Sequence, residues 1–600
     1  MKRLLATLLA LSLVFGFGVS VFAAPLQEGD GETLTEEIAE SPFRPLTQTG
    51  TKLVGAPTVI ENIATAENLI NLNDTPVMQG AWLDIGKAKD MDAVPLKGDK
   101  VALSYFMTCM EKTLPILKID NVKTAETAYY YLLDEQATDY IVASKSTAVL
   151  EFFGSQETEN VFLAYIAKPT EKAQKIAETA NSAGANICIL ENADRETVEY
   201  LQSRFLSVTL FSKKTNTRDS LDLAVNCGAN GIIVNSAEET YKLYEKVKKT
   251  TYIRKPFIIS NQIVSEDETT TYTLDDLKTV YKKGADSVKV NIKLNSENEL
   301  VCWWNGGDAQ KATTFKEICA FLSKQEATKT LILKIEQGDT DLIKKIKSTA
   351  KKEDALDRIL IDTSDEAVKT SCREIIPQAS FFKTYTQDEN DYITDLYYRG
   401  ILKAALIKET ENEQTEGEET EETEEKSPLD NLKTTAKSGA VLIATDYPDL
   451  GNSLKKSIKL KTALDIFGDV EVTKISINKI TLELRPNKTK TLKATIEPDN
   501  ATHKTVTFKS DNPKVASVDK NGVVTANRGG KAVITATAKG GKFVTCVVTV
   551  KGYLPLILTI TLILVLIGLG FYLFKIKKVK IKLPTFKQKE NNTTKKPKHF

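Results

Sequence analysis

Two long apolar runs without charged residues mark the two ends of the chain. The first, residues 4–22, follows Lys2 and Arg3 and closes on small residues before Pro25, which is the order of a secretory signal. The pattern predicts a signal peptide over residues 1–23, with an uncleaved N-terminal anchor as the alternative. The second run, residues 553–574, would span about 33 Å as a helix, which matches a bilayer core of about 30 Å.

The residues after the second apolar run predict the topology. Residues 575–600 hold ten Lys and one Glu, and positive residues stay on the cytoplasmic side of a membrane. We therefore expect a single-pass protein of the cell membrane, with its bulk outside and a basic cytoplasmic tail at 575–600. Membrane lipid is a predicted partner, through the transmembrane helix and through contact of the tail with anionic headgroups. A disordered tail is equally compatible with the composition.

Between about residue 55 and residue 465, short β-rich runs alternate with amphipathic helices. This alternation indicates βα units and parallel strands. After a flexible leader over 24–54, the first series occupies 55–250 and offers eight strands, which suit a closed (β/α)₈ barrel of the TIM type. The eight strand candidates are Thr58–Ile60, Val77–Ile85, Leu114–Ile119, Asp139–Val142, Val161–Ile166, Asn186–Leu190, Ser207–Phe211 and Gly231–Val234.

A second series, over 251–465, predicts a second (β/α)₈ barrel that is one βα unit short. An acidic loop at 409–426 interrupts it, with ten Glu between residues 409 and 425, and such a like-charge run stays solvated. Residues 227–235 and 438–446 share a Gly-Ala turn that leads into an apolar strand ending in Asn or Asp. The two series therefore resemble an internal repeat.

Residues 471–551 change to short alternating strands separated by Asn-, Gly- and Pro-containing turns, which is typical of a β-sandwich. The complete prediction is an α/β chain with two barrels, then an all-β sandwich and one transmembrane helix.

Charge and residue inventory exclude several functions. The predicted exterior carries 68 basic and 79 acidic residues, which argues against binding nucleic acid or teichoic acid by bulk charge. The seven cysteines show no CxxC pair, and His503 and His599 are the chain's two histidines, so structural zinc and a disulfide framework are not expected. Neither histidine can serve a barrel as general acid or base. The chain also has no P-loop, GxSxG or HExxH motif.

The sandwich segment resembles the bacterial Ig-like group 2 domain. The resemblance rests on residues 492–498, 508–519, 521–526 and 529–537, which carry that family's strand and turn sequences in order. In that family the module is a spacer or an adhesion unit of bacterial surface proteins. Its place just outside the membrane favours the role of a spacer.

The second barrel resembles the glycerophosphodiester phosphodiesterases. The resemblance rests on residues 257–262, 273–277, 284–292, 300–305, 332–336 and 444–449, which follow the order of that family's strand-end motifs. It implies a barrel whose two histidines act as general acid and base and whose acidic residues hold a divalent metal such as Ca²⁺ or Mg²⁺. The first barrel resembles a more diverged relative, mainly through residues 227–235.

At the family's functional positions this chain has different chemistry. By the resemblance, Asn261 and Gln262 replace His and Arg, Lys289 and Asn291 replace metal-binding Glu and Asp, Trp304 and Asn305 replace the second His and its Asp, Lys334 replaces a third metal-binding Glu, and Glu336 replaces Lys. We therefore expect no catalytic residue, no metal site and no cofactor. These eight residues would instead line a polar pocket with Trp304 as its aromatic wall, suited to a sugar or polyol, unless the mouth has collapsed.

The sequence thus predicts a membrane-anchored bacterial surface protein whose phosphodiesterase-like barrels have lost catalysis. It would bind or organise a surface glycan, a polyol phosphate or another envelope protein, and no nucleic acid. The alternative is an active glycerophosphodiester phosphodiesterase in lipid or wall-polymer metabolism. Two lysines at former metal positions repel each other, and Glu336, on the same strand face as Lys334, is the expected source of relief.

Overall fold

A computed structural model describes residues 52–70, 80–110, 113–137, 140–156, 161–211, 217–261, 273–304, 312–335, 340–363, 365–382, 384–385, 404–406, 427–437, 439–499, 501–552 and 554–576. The predicted signal peptide, the leader up to residue 51, the acidic loop and the tail beyond Ile576 lie outside this described part.

The first region contains twelve strands and eight helices among its described residues. The strands are β1 Leu53–Val54, β2 Thr58–Asn62, β3 Gly80–Asp84, β4 Val94–Leu96, β5 Asp99–Val101, β6 Leu114–Lys118, β7 Tyr140–Ser144, β8 Val161–Ile166, β9 Ile187–Leu190, β10 Ser207–Phe211, β11 Gly231–Val234 and β12 Thr251–Tyr252. The helices are α1 Ala66–Ile70, α2 Leu103–Thr108, α3 Val122–Asp134, α4 Thr147–Gly154, α5 Ala173–Ser182, α6 Arg195–Gln202, α7 Thr217–Cys227 and α8 Ala237–Tyr244.

Eight of these strands form a closed parallel barrel in the order β2-β3-β6-β7-β8-β9-β10-β11, with β11 pairing back onto β2. These are the eight strands that the sequence predicts. Their side chains alternate between a small interior core and a larger layer under the helices, because successive residues of a strand point to opposite faces. Ile60, Trp82 and Ile116 belong to the interior, whereas Leu83 and Leu117 lie under the helices.

The second region begins at β13 and follows the same pattern. Its strands are β13 Phe257–Ser260, β14 Ser287–Leu294, β15 Leu300–Trp303, β16 Thr313–Thr314, β17 Thr330–Lys334, β18 Ile359–Asp362, β19 Ser380–Phe382, β20 Thr384–Tyr385, β21 Ala404–Leu406 and β22 Leu442–Thr445. Its helices are α9 Leu274–Lys283, α10 Phe315–Leu322, α11 Thr340–Lys352, α12 Glu366–Ile375, α13 Pro428–Lys437 and α14 Pro448–Ser457, and α15 Ala463–Phe467 follows.

The parallel strands of this sheet run in the order β19-β18-β17-β14-β13-β22-β21-β20. Strand β15 pairs with β14, and β16 pairs with β15, both as antiparallel strands. Only residue 383 separates the end strands β19 and β20 along the chain. No pairing closes the sheet among the described residues. A second closed eight-stranded barrel is therefore not confirmed, although the predicted order of strands and helices is.

Buried contacts join the two regions. The Arg204 guanidinium donates to the Asp357 carboxylate at 3.2 Å and to the Ala327 carbonyl at 2.9 Å, and the Tyr200 hydroxyl donates to Asp357 at 2.8 Å. Beside them, Phe205 packs against the interior core of the second sheet. The two regions consequently bury polar and apolar groups against each other.

Helix α15 follows the second region in the chain but packs on the first. Ala463 and Phe467 belong to the core under the helices of the barrel, and the Ala463 amide donates to the Asn226 side chain at 2.8 Å. The chain therefore crosses back to the first region before it enters the sandwich.

The last region is a β-sandwich with strands β23 Lys474–Ile477, β24 Thr481–Leu484, β25 Thr489–Thr491, β26 Ala494–Glu497, β27 Val506–Ser510, β28 Ala516–Val518, β29 Val523–Ala526, β30 Gly530–Ala538 and β31 Phe543–Val550. Four strands form one sheet in the order β24-β31-β30-β27, and three form another in the order β25-β29-β28. The prediction of a sandwich is confirmed.

Helix α16, Leu554–Ile576, follows the sandwich. Within it, Ile557–Lys575 has a mean hydropathy of 2.6, and none of this window is buried against the rest of the chain. By length and composition this helix can cross a membrane, which is compatible with the predicted single-pass anchor.

Candidate functional site

The second sheet gathers several of the predicted site residues on one face. On β14, Val288, Val290 and Ile292 lie in the core under the helices, so Lys289 and Asn291 point to the opposite, interior side. Asn291 stands beside Lys334 in the register of β14 and β17. The strand ends therefore place the Lys289, Asn291 and Lys334 side chains on the interior face at the carboxyl end of the sheet.

An ion pair between Lys289 and Asp362 dominates this end of the sheet. Both side chains are largely buried, at 22% and 17% exposure. Asp362 ends β18 and stands beside Lys334 in the register of β17 and β18. The carboxylate therefore lies among two lysines and Asn291.

The sequence reasoning missed Asp362. It assigned the compensating charge to Glu336, which lies outside the described residues. The signal was present, because Asp362 closes an apolar strand next to the strand of Lys334, and carboxyl ends of neighbouring parallel strands meet at one edge. Asp362 therefore offsets lysine charge at this edge from a neighbouring strand, and the role assigned to Glu336 stays a prediction.

Trp304 does not form the wall of a pocket, contrary to the expectation. It is 1% exposed and packs with Leu300 and Cys302 in the core under the helices. The reason is alternation, because Leu300 and Cys302 of β15 face that layer and Trp304, directly after the strand, continues the pattern. The neighbouring Trp303 points the other way, stands opposite Asn291, and has the Lys293 ammonium 5.0 Å from its ring centroid.

Four other residues were predicted to line the pocket: Asn261, Gln262, Asn305 and Glu336. Asn261 is half-buried just after β13, and its amide donates to the Thr445 carbonyl at 3.3 Å. Gln262, Asn305 and Glu336 lie outside the described residues. Within the described part of the chain, no group of three or more His, Cys, Asp or Glu side chains is arranged to hold a metal ion.

The corresponding end of the first barrel is filled by its own side chains. Trp82 and Phe211 stack in the interior with ring centroids 5.9 Å apart. Lys118 at the end of β6 bridges Asp84 at 2.8 Å and Asp120 at 2.9 Å. Burial alone would lower the pKa of Lys118, but hydrogen bonds and attraction from both carboxylates raise it. The end of this barrel is thus held together by an ionic bridge.

A cavity of about 540 Å³ beside the first barrel was not predicted. It is lined by the segments that follow β8 and β9 and by the last turn of α7. Several of its polar groups already have partners in the fold. Glu171 accepts from the Tyr165 hydroxyl and the Lys168 amide, Asp194 caps α6 by accepting from the Thr197 amide, and Arg195 donates to the Asn226 carbonyl.

Most of the cysteines lie in the core. Cys188, Cys227, Cys302 and Cys546 are buried, and all seven are free thiols. Burial raises the pKa of Cys188 and of Cys302, so neither ionises readily. Their environment indicates a packing role.

Two curated relatives match short parts of the chain. Both are uncharacterised proteins of Clostridium acetobutylicum. One is 36% identical over 98 residues, which are 16% of this chain and 10% of the relative. The other is 33% identical over 114 residues, which are 18% of this chain and 29% of the relative. The chain thus spans less than a third of the length of either relative.

Solved structures give weak likenesses. A glycerophosphoryl diester phosphodiesterase from Parabacteroides distasonis is 12% identical, covers 36% of this chain and 91% of its own, and has a TM-score of 0.27. Domains 4 and 5 of the S-layer protein SbsC are 20% identical, cover 13% of this chain and 51% of their own, and have a TM-score of 0.12. TM-scores this low do not establish a fold for the chain.

One family is matched by a defined part of the chain. Residues 471–548 match the family described as bacterial Ig-like domain, group 2. The match spans the observed sandwich from β23 into β31, where the resemblance of the sequence placed it. Residues 471–548 are therefore a group 2 bacterial Ig-like domain.

Proposed function

We propose that the chain is a single-pass bacterial surface protein whose two α/β regions bind an envelope component rather than hydrolyse one. The Ig-like domain would be the spacer between these regions and the membrane, and α16 would be the anchor. Support for the anchor comes from the length of α16, from the exposure of its window Ile557–Lys575, and from its place directly after the Ig-like domain. The export signal and the cytoplasmic tail belong to the same proposal.

The observation that carries the non-catalytic role is the Lys289–Asp362 ion pair. A divalent cation needs several oxygen ligands that converge without a competing positive charge. Here one carboxylate at the carboxyl end of the sheet, that of Asp362, is already paired with the ammonium group of Lys289. Lys334 stands beside the same carboxylate and adds further positive charge.

A hydrolysis assay tests this role. The full chain in detergent is incubated with glycerophosphocholine and glycerophosphoglycerol, with millimolar Ca²⁺ or with EDTA. We expect release of glycerol phosphate at the rate of a heat-inactivated sample, and no shift of the thermal midpoint with Ca²⁺. Turnover that EDTA abolishes would contradict the proposal and favour the alternative, an active phosphodiesterase.

The interior face of the second sheet is the candidate ligand site. Asn261, Asn291 and the two lysines offer hydrogen-bond donors to a sugar or a polyol phosphate, and Trp303 supplies the aromatic surface that was assigned to Trp304. Titration with glycerol 1-phosphate, followed by tryptophan emission, tests this site. We expect a saturable change that Trp303→Phe removes. An unchanged emission in the unaltered chain would indicate a collapsed mouth.

A further inference from the structure

The Ig-like domain has a charge opposite to that of the rest of the predicted exterior. Residues 471–551 carry fifteen Lys and Arg against six Asp and Glu, a net charge of +9. Residues 25–470 carry 53 Lys and Arg against 73 Asp and Glu, a net charge of −20. All fifteen basic residues are exposed. Among the described residues, just two of them form ion pairs with carboxylates, Lys474 with Glu497 and Lys551 with Glu483. The domain therefore presents a large uncompensated positive charge to its surroundings.

Backbone hydrogen bonds gather six of these residues at one end of the sandwich. The Ala526 amide donates to the Lys488 carbonyl at 2.9 Å, and the Arg528 amide donates to the Val515 carbonyl at 3.2 Å. Lys531 stands opposite Thr549, near the end of β31. We call these residues the basic rim: Arg485, Lys488, Lys514, Arg528, Lys531 and Lys551.

Few acidic side chains offset the rim. Glu483 is paired with Lys551 at 2.6 Å, and Asp511 lies in the turn before Lys514. Six positive charges against two negative ones leave an excess of four at this end.

The basic rim lies where the chain leaves the sandwich for α16. The Lys551 amide donates to the Leu484 carbonyl at 2.9 Å, so the domain holds its last residue firmly. A Cβ on Gly529 would approach the Gly552 Cα to 2.8 Å, which shows how closely the rim loops surround the exit. Only Gly552 and Tyr553 separate Lys551 from Leu554, the first residue of the helix. At no more than about 3.5 Å per residue, the Lys551 Cα lies within roughly 10 Å of the start of α16.

We infer that the basic rim binds the anionic phosphate headgroups of the outer leaflet and seats the Ig-like domain on the membrane. This inference rests on the proposed crossing of the membrane by α16. Lipid is the favoured polyanion because the short connection keeps Lys551, and the loop of Gly529 packed beside Gly552, about one Debye length from the start of the membrane-crossing helix. Attraction to an anionic surface grows with each Lys or Arg brought near it. The spacer is then a fixed base rather than a freely pivoting stalk.

Lysine acylation on the reconstituted full chain tests the inference. The chain is placed in vesicles of phosphatidylcholine alone or of phosphatidylcholine and phosphatidylglycerol at 3:1, and a membrane-impermeant acylating reagent labels its exposed lysines. A surface potential of about −30 mV raises the proton concentration at the membrane surface about threefold. The fraction of lysine amines there that are deprotonated, and so able to react, falls by the same factor. We expect Lys488, Lys514, Lys531 and Lys551 to react about threefold more slowly in the anionic vesicles.

The far end of the domain supplies the internal control. Lys504, Lys520 and Lys542 lie in turns or strand ends opposite to the rim. The eight residues of β31 place the two ends about 25 Å apart, beyond the Debye length of about 8 Å. These three lysines should react equally in both vesicles, and 0.5 M salt, at roughly a 4 Å Debye length, should remove most of the difference at the rim.

A matched pair of variants separates a seated domain from mere proximity. Lys514→Gln with Arg528→Gln removes two rim charges, and Lys504→Gln with Lys520→Gln removes two charges at the far end. We expect the first pair to lose most of the protection at Lys488 and Lys551, and the second pair to keep it. Equal loss in both pairs would overturn the inference.

The remaining outcomes are also decisive. Equal acylation in both vesicles, with the chain floating with the lipid, would overturn the inference and leave the proposed anchor intact. Failure of the chain to float with either vesicle would overturn the anchor, and the inference with it. Protection by soluble poly(glycerol phosphate) but not by anionic vesicles would assign the rim to a wall polymer instead of lipid.

Discussion

Replacement of Asp357 by Ala should loosen the contact between the first barrel and the second sheet. Arg204 is 2% exposed in its side chain and Asp357 is 23% exposed. Burial lowers the pKa of Arg204, against the opposing attraction of Tyr200 and Asp357. The substitution would leave a buried guanidinium without its carboxylate.

The loss in the free energy of unfolding depends on the contacts that the Arg204 guanidinium keeps. Removing one partner of a buried ion pair costs about 3–5 kcal/mol. The guanidinium would keep its bonds to the Tyr200, Ala327 and Asp357 carbonyls, and Asp357 is partly solvated, so we expect the lower figure of about 3 kcal/mol. With a urea dependence of about 3 kcal/mol per molar, the unfolding midpoint should fall by roughly 1 M.

Urea unfolding followed by tryptophan emission measures this effect, because Trp82 reports on the barrel and Trp303 and Trp304 report on the second sheet. Glu178→Ala is the matched control, since its pair with Lys175 is 36% and 64% exposed and should contribute less than about 0.5 kcal/mol. A double variant with apolar residues at 204 and 357 should be more stable than Asp357→Ala. If Asp357→Ala shifted the midpoint no more than Glu178→Ala, the ion pair would not be buried and the reasoning would fail.

Three further predictions concern the barrel ends and the acidic loop. Asp362→Ala should cost about 2 kcal/mol in urea unfolding, because the largely buried Lys289 would lose the Asp362 carboxylate, and a cost below about 0.5 kcal/mol would contradict the ion pair. The pKa of Lys118 is raised in the folded chain, so its bridge stabilises the fold fully below about pH 10 and less as the pH rises through the pKa of the folded state. The thermal midpoints of the unaltered chain and of Asp84→Asn should therefore converge above that pH. A Glu-specific protease should cut first within 409–426 and leave both α/β regions folded, and resistance there would mean that the segment is ordered by a cation or a partner.

Strand positions were largely predictable because their signal is local. Apolar runs bounded by turn residues predicted all eight strands of the first barrel, and a like pattern predicted the second sheet and the sandwich. Closure is different, because it depends on whether the first and last strands of a sheet meet, and no local pattern encodes that meeting. The first barrel closes through β11 and β2, whereas no closing pair is seen among the described strands of the second sheet.

In the candidate site, too, strand positions were predictable from local sequence, whereas contacts between strands were not. The strand ends that carry Lys289, Asn291 and Lys334 follow from the sequence, but the assignment of Trp304 to the mouth was wrong. A two-residue run such as Trp303–Trp304 puts one ring on each face, and only the partner strand decides which ring faces which side. Asp362 was missed because its partner Lys289 is 73 positions away and two strands over.

The sequence by itself determined the order of the regions, the Ig-like domain and the apolar helix that can cross a membrane, because composition and periodicity act over short stretches. Tertiary structure alone decided which charges meet. It paired Lys289 with Asp362, buried Arg204 against Asp357, and brought the basic rim together from separate loops and strand ends of the sandwich. Coulomb attraction and burial depend on distance in space, and that distance is set by the packing of strands far apart in the chain.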